Sequence, residues 1–496
     1  MLCIRAVLQG LESRFCAFAV SRRGFALSAA LFLAALALAL FLGLGTETLA
    51  RISEVRCVQV VKRMVESGDW LVPRLGEIAR LQKPPLFYWA GAAVATVTSD
   101  SSAWSVRFVS ACAAFGLAGV MLAWGRALGG GGLALAAAAC LAAMQQFGSS
   151  GRRGDAEMLL AFLSTAALLC FDRMHAERRA KLLPVFALLL GLAILTKATA
   201  VLITVAAPIA VFLALRRELA VLRDRRVLAA GGAALALGLS WYLAILVFVP
   251  GAFETLRDAL FLPLGADESQ AGSTHFKWPW WYFSILPVRA APASLLLPLV
   301  IWRLWVTRVY RDDPRMRFAS LAFLVPLAVF SVLPQKQKHY TLSMMPGLAL
   351  CSAEALLAAA RELGPRFTLA IRALGTPLAL AGVAATVVLA LFFLWVERWS
   401  PGAVTAGAAV PFALFVLAAA AALAGARAAF GASWILGFLL ALAVGRGVVE
   451  PRVESLARSY IAMSLDEREN LILLARDRPW FARLMLRLGS SGEDGD

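Results

Sequence analysis

Residues 80–89 read RLQKPPLFYW, in a chain otherwise dominated by long alanine and leucine runs. Pro84 and Pro85 offer no N–H donor and stiffen the backbone. Phe87, Tyr88 and Trp89 suit the headgroup level of a bilayer. Lys83 is thereby held at the depth of a phosphate, the natural partner of a lysine or arginine there. Other chemically capable residues stand beside apolar runs. Glu54 and Arg56 open a polar stretch, and GSSGRRGDAEMLLAF sets Arg153, Asp155 and Glu157 ahead of a greasy segment. Lys197 interrupts LAILTKATAV, and a lysine in such a run is a functional hypothesis by default, with snorkelling to the interface as the alternative. STHFKWPWWYF carries His275 and Lys277, and PQKQKHYTLSMMP carries Lys336, Lys338 and His339.

The elements that position these residues are membrane helices. The chain has 496 residues, is 61% hydrophobic and carries a net charge of +17. No soluble protein of that composition covers its apolar surface, and runs of about 20 apolar residues span a bilayer as helices. Strand-like alternation is absent, which argues against a membrane β-barrel. The positive charge reads as arginine-rich loops; no nucleic-acid partner is expected. The seven cysteines show no CxxC or Cys/His metal spacing.

The expected fold is an all-α polytopic bundle of about thirteen spans, at 24–46, 103–127, 131–148, 157–172, 181–196, 198–215, 228–250, 284–305, 318–333, 340–360, 369–396, 403–425 and 430–448. Basic loops at 172–181, 216–226 and 303–317 fall on one side with the N-terminus, and the positive-inside rule makes that side cytoplasmic. Residues 1–448 form the membrane domain, with a first external loop at about 47–102, and 449–496 form an external tail. Loop one breaks the charge rule, because Arg51, Arg56, Lys62, Arg63, Arg74, Arg80 and Lys83 are all external. Either the span count is off by one, or these cations bind an anion. Within the loop, apolar positions 55, 58, 61, 64 and 65 share a helical face, predicting an amphipathic helix on the interface. Residues 84–98 predict a second one.

The spacing of Glu-x-Arg, SGDWLVPRL and KPPLFYW in loop one resembles the first periplasmic loop of polyprenyl-phosphate-sugar-dependent glycosyltransferases. These are the protein O-mannosyltransferase-like superfamily, including the aminoarabinose transferases of lipid A. Weaker matches extend to about residue 350. The resemblance implies an outward-facing cavity, a lipid-linked sugar donor and an exported lipid, glycan or protein acceptor. It places Lys83 and Arg56 on the donor phosphate, with Lys336, Lys338 and His339 either joining them or forming a solvated loop, and Glu54 as the base or as the group orienting Arg56. Ser53 stands where the family often has its catalytic aspartate. Asp155 or Glu157 then orients the acceptor or a neighbouring cation, or complements the helix dipole. Lys197 is implied to bridge to the loop-one acid, and Arg153 and Tyr88 complete the candidates. In the lipid A branch a divalent metal sits on a histidine matching His275 and a glutamate whose position here is Gln82, a poor ligand, so no metal site is expected firmly.

The function implied is an inverting glycosyltransferase of the bacterial inner membrane, with its site facing outside. The alternatives are a lipid or sugar transporter and a catalytically silent relative. No internal repeat or matched pair of broken helices supports a transporter, and the polar residues cluster in loops instead of at span midpoints.

Overall fold

The computed structural model of the chain describes residues 21–45, 52–81, 83–261, 277–305, 312–362, 373, 375–395, 411–418, 437, 438 and 440. His275, Gln82 and the tail from residue 449 lie outside the described residues. The protein is a helical, polytopic membrane protein. Seven described helices are long and apolar enough to cross a bilayer, or eight if the bent pair Trp281–Arg289 and Ala293–Leu304 is one pass.

Helix α1 (Arg22–Phe41) is followed by α2 (Ile52–Ser67), a small hairpin of β1 (Arg74–Leu75) and β2 (Ile78–Ala79), and α3 (Leu86–Thr98). Then come α4 (Ala103–Ala143), the short α5 (Gln145–Gly151), α6 (Ala156–Glu177), α7 (Leu183–Val201), α8 (Ala207–Leu215) and α9 (Arg225–Phe248). The described remainder includes α10 (Ala252–Phe261), α11 (Trp281–Arg289), α12 (Leu297–Trp305), α13 (Pro314–Val332), α14 (Met345–Glu362) and α15 (Thr376–Trp395).

Two of these spans double back. In α4 the backbone leaves helical geometry at Gly129 and Gly130, the latter at φ +81°, a conformation glycine adopts without a Cβ penalty. Gly125 then lies so near Ala134 that a Cβ on it would stand 2.6 Å from the Ala134 Cα, a contact only a reversed chain makes. The second reversal is at Lys197, which has φ −167° and ψ 89°. α7 approaches this point, and the chain returns along α6: Ser164 Oγ is 3.2 Å from Thr204 Oγ1, the Phe171 and Phe212 rings are 6.1 Å apart, and His175 Nε2 is 2.6 Å from a Glu218 carboxylate oxygen. These breaks fall where the sequence separates 103–127 from 131–148 and 181–196 from 198–215.

The core is built of small residues that let helices approach closely. Ala111, Ala114, Ala134, Ala137, Ala138, Ala161 and Ala167 are buried at this centre. α2 is amphipathic as read, but its buried face is rotated. Cys57, Val60, Val61 and Met64 are buried, a spacing of i, i+3, i+4 and i+7, while Val55, Val58 and Val65 flank it half-buried. That face packs on α3 and on Val106 and Val109 of α4. The α3 aromatics also differ from expectation: Phe87 and Tyr88 are buried in this contact, and of the three only Trp89 is partly open, donating to the Trp70 carbonyl at 2.6 Å.

Candidate active site

The carboxylates and cations singled out in the sequence converge at one end of the bundle. Its other end carries a separate ion pair, Arg315 to Asp172 at 2.7 Å, and a hydrogen bond between His175 and Glu218 at 2.6 Å.

Glu54 enters on the first turn of α2 and is 3% exposed. Its partner is not Arg56, which is exposed, but Arg107 of α4. Arg107 Nε donates to Oε1 at 2.8 Å and Nη2 donates to Oε2 at 3.3 Å, while Nη1 donates to the Leu44 carbonyl at 3.2 Å. The Gly154 N–H donates a third bond to Glu54, at 2.8 Å. Gly154 is obligatory on steric grounds, since a Cβ there would meet Val106 Cγ2 at 2.4 Å. Glu54 therefore ties α2, α4 and the start of α6 together.

Arg152, next along, is buried and gathers the carbonyls of Ala39, Leu40, Leu42 and Gly43 at 2.7–3.2 Å, capping the C-terminus of α1. Its neighbour Arg153 is half-buried, within electrostatic range of Asp155.

Asp155 is the N-cap of α6, its Oδ1 accepting the Glu157 N–H at 3.2 Å. It is half-buried, and among the described residues it has no ion pair. Burial and the neighbouring Glu157 carboxylate push its pKa up to about 6, against the pull of Lys83 and Arg153. Lys83 is also half-buried and makes no hydrogen bond or ion pair among the described residues. The site thus offers a carboxylate without a countercharge pair and a lysine within its field.

Glu157 is buried and pairs with Lys197, not Lys197 with the loop-one acid as the resemblance implied. Lys197 Nζ donates to Glu157 Oε1 at 2.8 Å and lies 4.8 Å over the Tyr340 ring. The reversal at Lys197, inside α7, delivers this lysine to the N-terminal end of α6. His339 Nε2 approaches the same glutamate oxygen at 3.3 Å. The Gln146 amide fixes that loop, donating to the carbonyls of Lys338 and His339 at 3.3 Å and accepting from the Thr341 hydroxyl.

Of the remaining expected phosphate ligands, Lys338 is exposed on this loop. Lys336 is buried and donates to the carbonyls of Lys277, at 3.1 Å, and Leu333. Burial lowers its pKa, and its donors point into the loop it braces. Tyr88 is buried between α2 and α3, and burial pushes its pKa up to about 12. Among the described residues no group of three or more His, Cys, Asp or Glu side chains could hold a metal ion, and no step is routed through one.

Sequence reasoning missed Arg107, Arg152 and Gln146. Arg107 carried a signal, because it sits in the apolar run SSAWSVRFVSACAAF, where a charge needs a buried partner.

Fold and site together define a multi-pass membrane protein with a charged, carboxylate-containing centre capping one end of a helical bundle. Residues 82–250 match the family described as dolichyl-phosphate-mannose-protein mannosyltransferase. The fold is that of the crystal structure of ArnT from Cupriavidus metallidurans bound to undecaprenyl phosphate, with a TM-score of 0.67 and 19% identity, covering 88% of this chain and 80% of that one. Among curated relatives, the undecaprenyl phosphate-alpha-4-amino-4-deoxy-L-arabinose arabinosyl transferase of Photorhabdus laumondii is 26% identical, over 61% of this chain and 54% of its own length. That of Pseudomonas paraeruginosa is 28% identical, over 84% and 75%. The chain spans little more than half the length of the first relatives it matches. The resemblance read in loop one, to polyprenyl-phosphate-sugar glycosyltransferases and their aminoarabinose branch, is borne out by these likenesses.

Proposed function

We propose that the protein is an integral membrane glycosyltransferase that moves a sugar from a polyprenyl-phosphate donor to the hydroxyl of an exported lipid, glycan or protein. The observation that carries this reading is that Asp155, which has no ion pair among the described residues, lies within electrostatic range of Lys83. Transfer needs a base at the acceptor and positive charge at the departing phosphate. Asp155 would take the hydroxyl proton as its oxygen bonds to the anomeric carbon. The sugar–phosphate bond would break with its electron pair left on the phosphate, held by Lys83, with Lys338 and Arg56 at the margin. A single displacement inverts the anomeric centre. Glu54 is assigned a scaffolding role, because its oxygens are already engaged by Arg107 and Gly154. Glu157 and Lys197 hold the wall of the site.

The wider setting is part of the same proposal. The bundle has thirteen spans, with α2 and α3 lying at the interface, the basic loops in the cytoplasm and the site facing outward across the bacterial inner membrane. The names of the relatives make undecaprenyl phosphate carrying an amino sugar the first donor to try. They favour a transferase over a transporter.

The test is direct. Purified full-length protein is incubated in detergent with an undecaprenyl-phosphate sugar labelled in the sugar, together with an envelope lipid extract as acceptor. Release of undecaprenyl phosphate with label in a new product is expected. No turnover across a panel of donor sugars and envelope acceptors contradicts the reading.

A further inference from the structure

At the opposite end of the bundle from the carboxylates, a groove of about 470 Å³ opens between α1, α4 and α6. Its apolar wall includes Phe25, Ala29 and Leu122, and its rim carries Arg126, Arg173 and Glu177. The flank of α1 beside it faces outward, with Leu27 and Leu31 about half exposed. In a membrane the groove is therefore continuous with the hydrocarbon.

The charges at the rim do not balance. Glu177 is engaged twice, by Arg173 and by Arg179, each at 2.6 Å. Arg126 is exposed, its guanidinium 4.5 Å above the Phe25 ring, and among the described residues it has no ion pair. Arg22 and Arg23, both exposed, begin α1 one turn from Phe25. An excess of guanidinium over an apolar, laterally open wall suits one chemistry: acyl chains along the wall and an anionic phosphodiester at the rim. A free phosphate would leave the apolar wall unused.

We propose that this groove is a binding site for an anionic glycerophospholipid of the leaflet at this end of the bundle. Its phosphate meets Arg126 and Arg173, and its glycerol backbone and chains lie against Phe25 and Ala29. The inference does not depend on the transfer reaction, because these residues take no part in the carboxylate site.

The test titrates delipidated full-length protein in mild detergent with phosphatidylglycerol and, separately, phosphatidylcholine, read by native mass spectrometry. Phosphatidylglycerol should be held roughly tenfold more tightly, because the quaternary ammonium of phosphatidylcholine is repelled by the same guanidinium cluster that meets either phosphodiester. Arg126→Gln/Arg173→Gln should bring it to the phosphatidylcholine level. Arg225→Gln/Arg226→Gln, two exposed arginines of α9 outside the groove, should leave the preference intact. Equal retention of the two lipids, a preference that survives in the groove variant, or equal loss in the α9 variant overturns the site. If the double variant fails to fold, Arg126→Gln alone decides, its side chain being exposed. A weakened preference supports the site and an unchanged one overturns it.

Discussion

Glu54 and Arg107, 53 residues apart in sequence, form a buried two-pronged ion pair with contacts of 2.8 and 3.3 Å. Neither side chain is more than 4% exposed. This pair fixes α2 against α4, and its removal is first a stability event. Glu54→Gln leaves the Arg107 charge buried without a partner, which costs about 3–5 kcal/mol. The apparent melting temperature in detergent should fall clearly. An unchanged melting temperature would show that the pair is not structural.

Glu157 and Lys197 should behave as a coupled unit. Lys197→Met strands one charge and Glu157→Gln strands the other, whereas the double variant strands neither. A double-mutant cycle on thermal stability should give a coupling of about 1–3 kcal/mol. Strict additivity would mean that the 2.8 Å contact contributes nothing.

Lys83→Ala should weaken donor binding by roughly ten- to a hundredfold, from about 1.5–3 kcal/mol of charge-assisted contact. Folding should be little altered, because Lys83 makes no hydrogen bond or ion pair among the described residues. Titration with undecaprenyl phosphate itself checks this, and unchanged affinity would remove Lys83 from the site.

The pH dependence follows from Asp155. Its pKa stands at about 6, above its usual value, through burial and the Glu157 charge. A base must be unprotonated, so kcat/KM should rise with pH through about 6 and level off near neutrality. The stability effect runs the other way. The folded protein holds this proton more tightly than the unfolded chain, so the group favours folding below about pH 4 and that contribution is lost as pH rises through 6. A rate profile flat from pH 5 to 7 would argue against Asp155 as base.

Much of the fold was legible because membrane helices announce themselves through apolar length and loop charge. Even the reversals at Gly129 and Lys197 were marked, by a glycine run and by a lysine no lipid-facing helix tolerates. The site was less legible, for reasons particular residues make clear. Glu54 and Arg56 are two apart, and residues two apart on a helix do not share a face, so the carboxylate turns to Arg107 from another helix. The buried face of α2 runs through Cys57, a small hydrophobe that the valine pattern concealed. Lys336 looked like a phosphate ligand by type, yet its nearest acceptors are carbonyls of its own end of the bundle. Such partner choices are tertiary and leave no mark at short range. The placement of Lys197 against an acid was readable; which acid was not.

The most direct measurement compares Asp155→Asn with unaltered protein in the release of undecaprenyl phosphate from the lipid-linked sugar, with donor affinity and melting temperature determined on the same samples. With Asp155 as the base, turnover should fall by about 10²–10⁴ while donor affinity and stability stay close to normal. Near-normal turnover in Asp155→Asn, with turnover abolished in a folded Glu54→Gln protein, would contradict it and return the base to loop one.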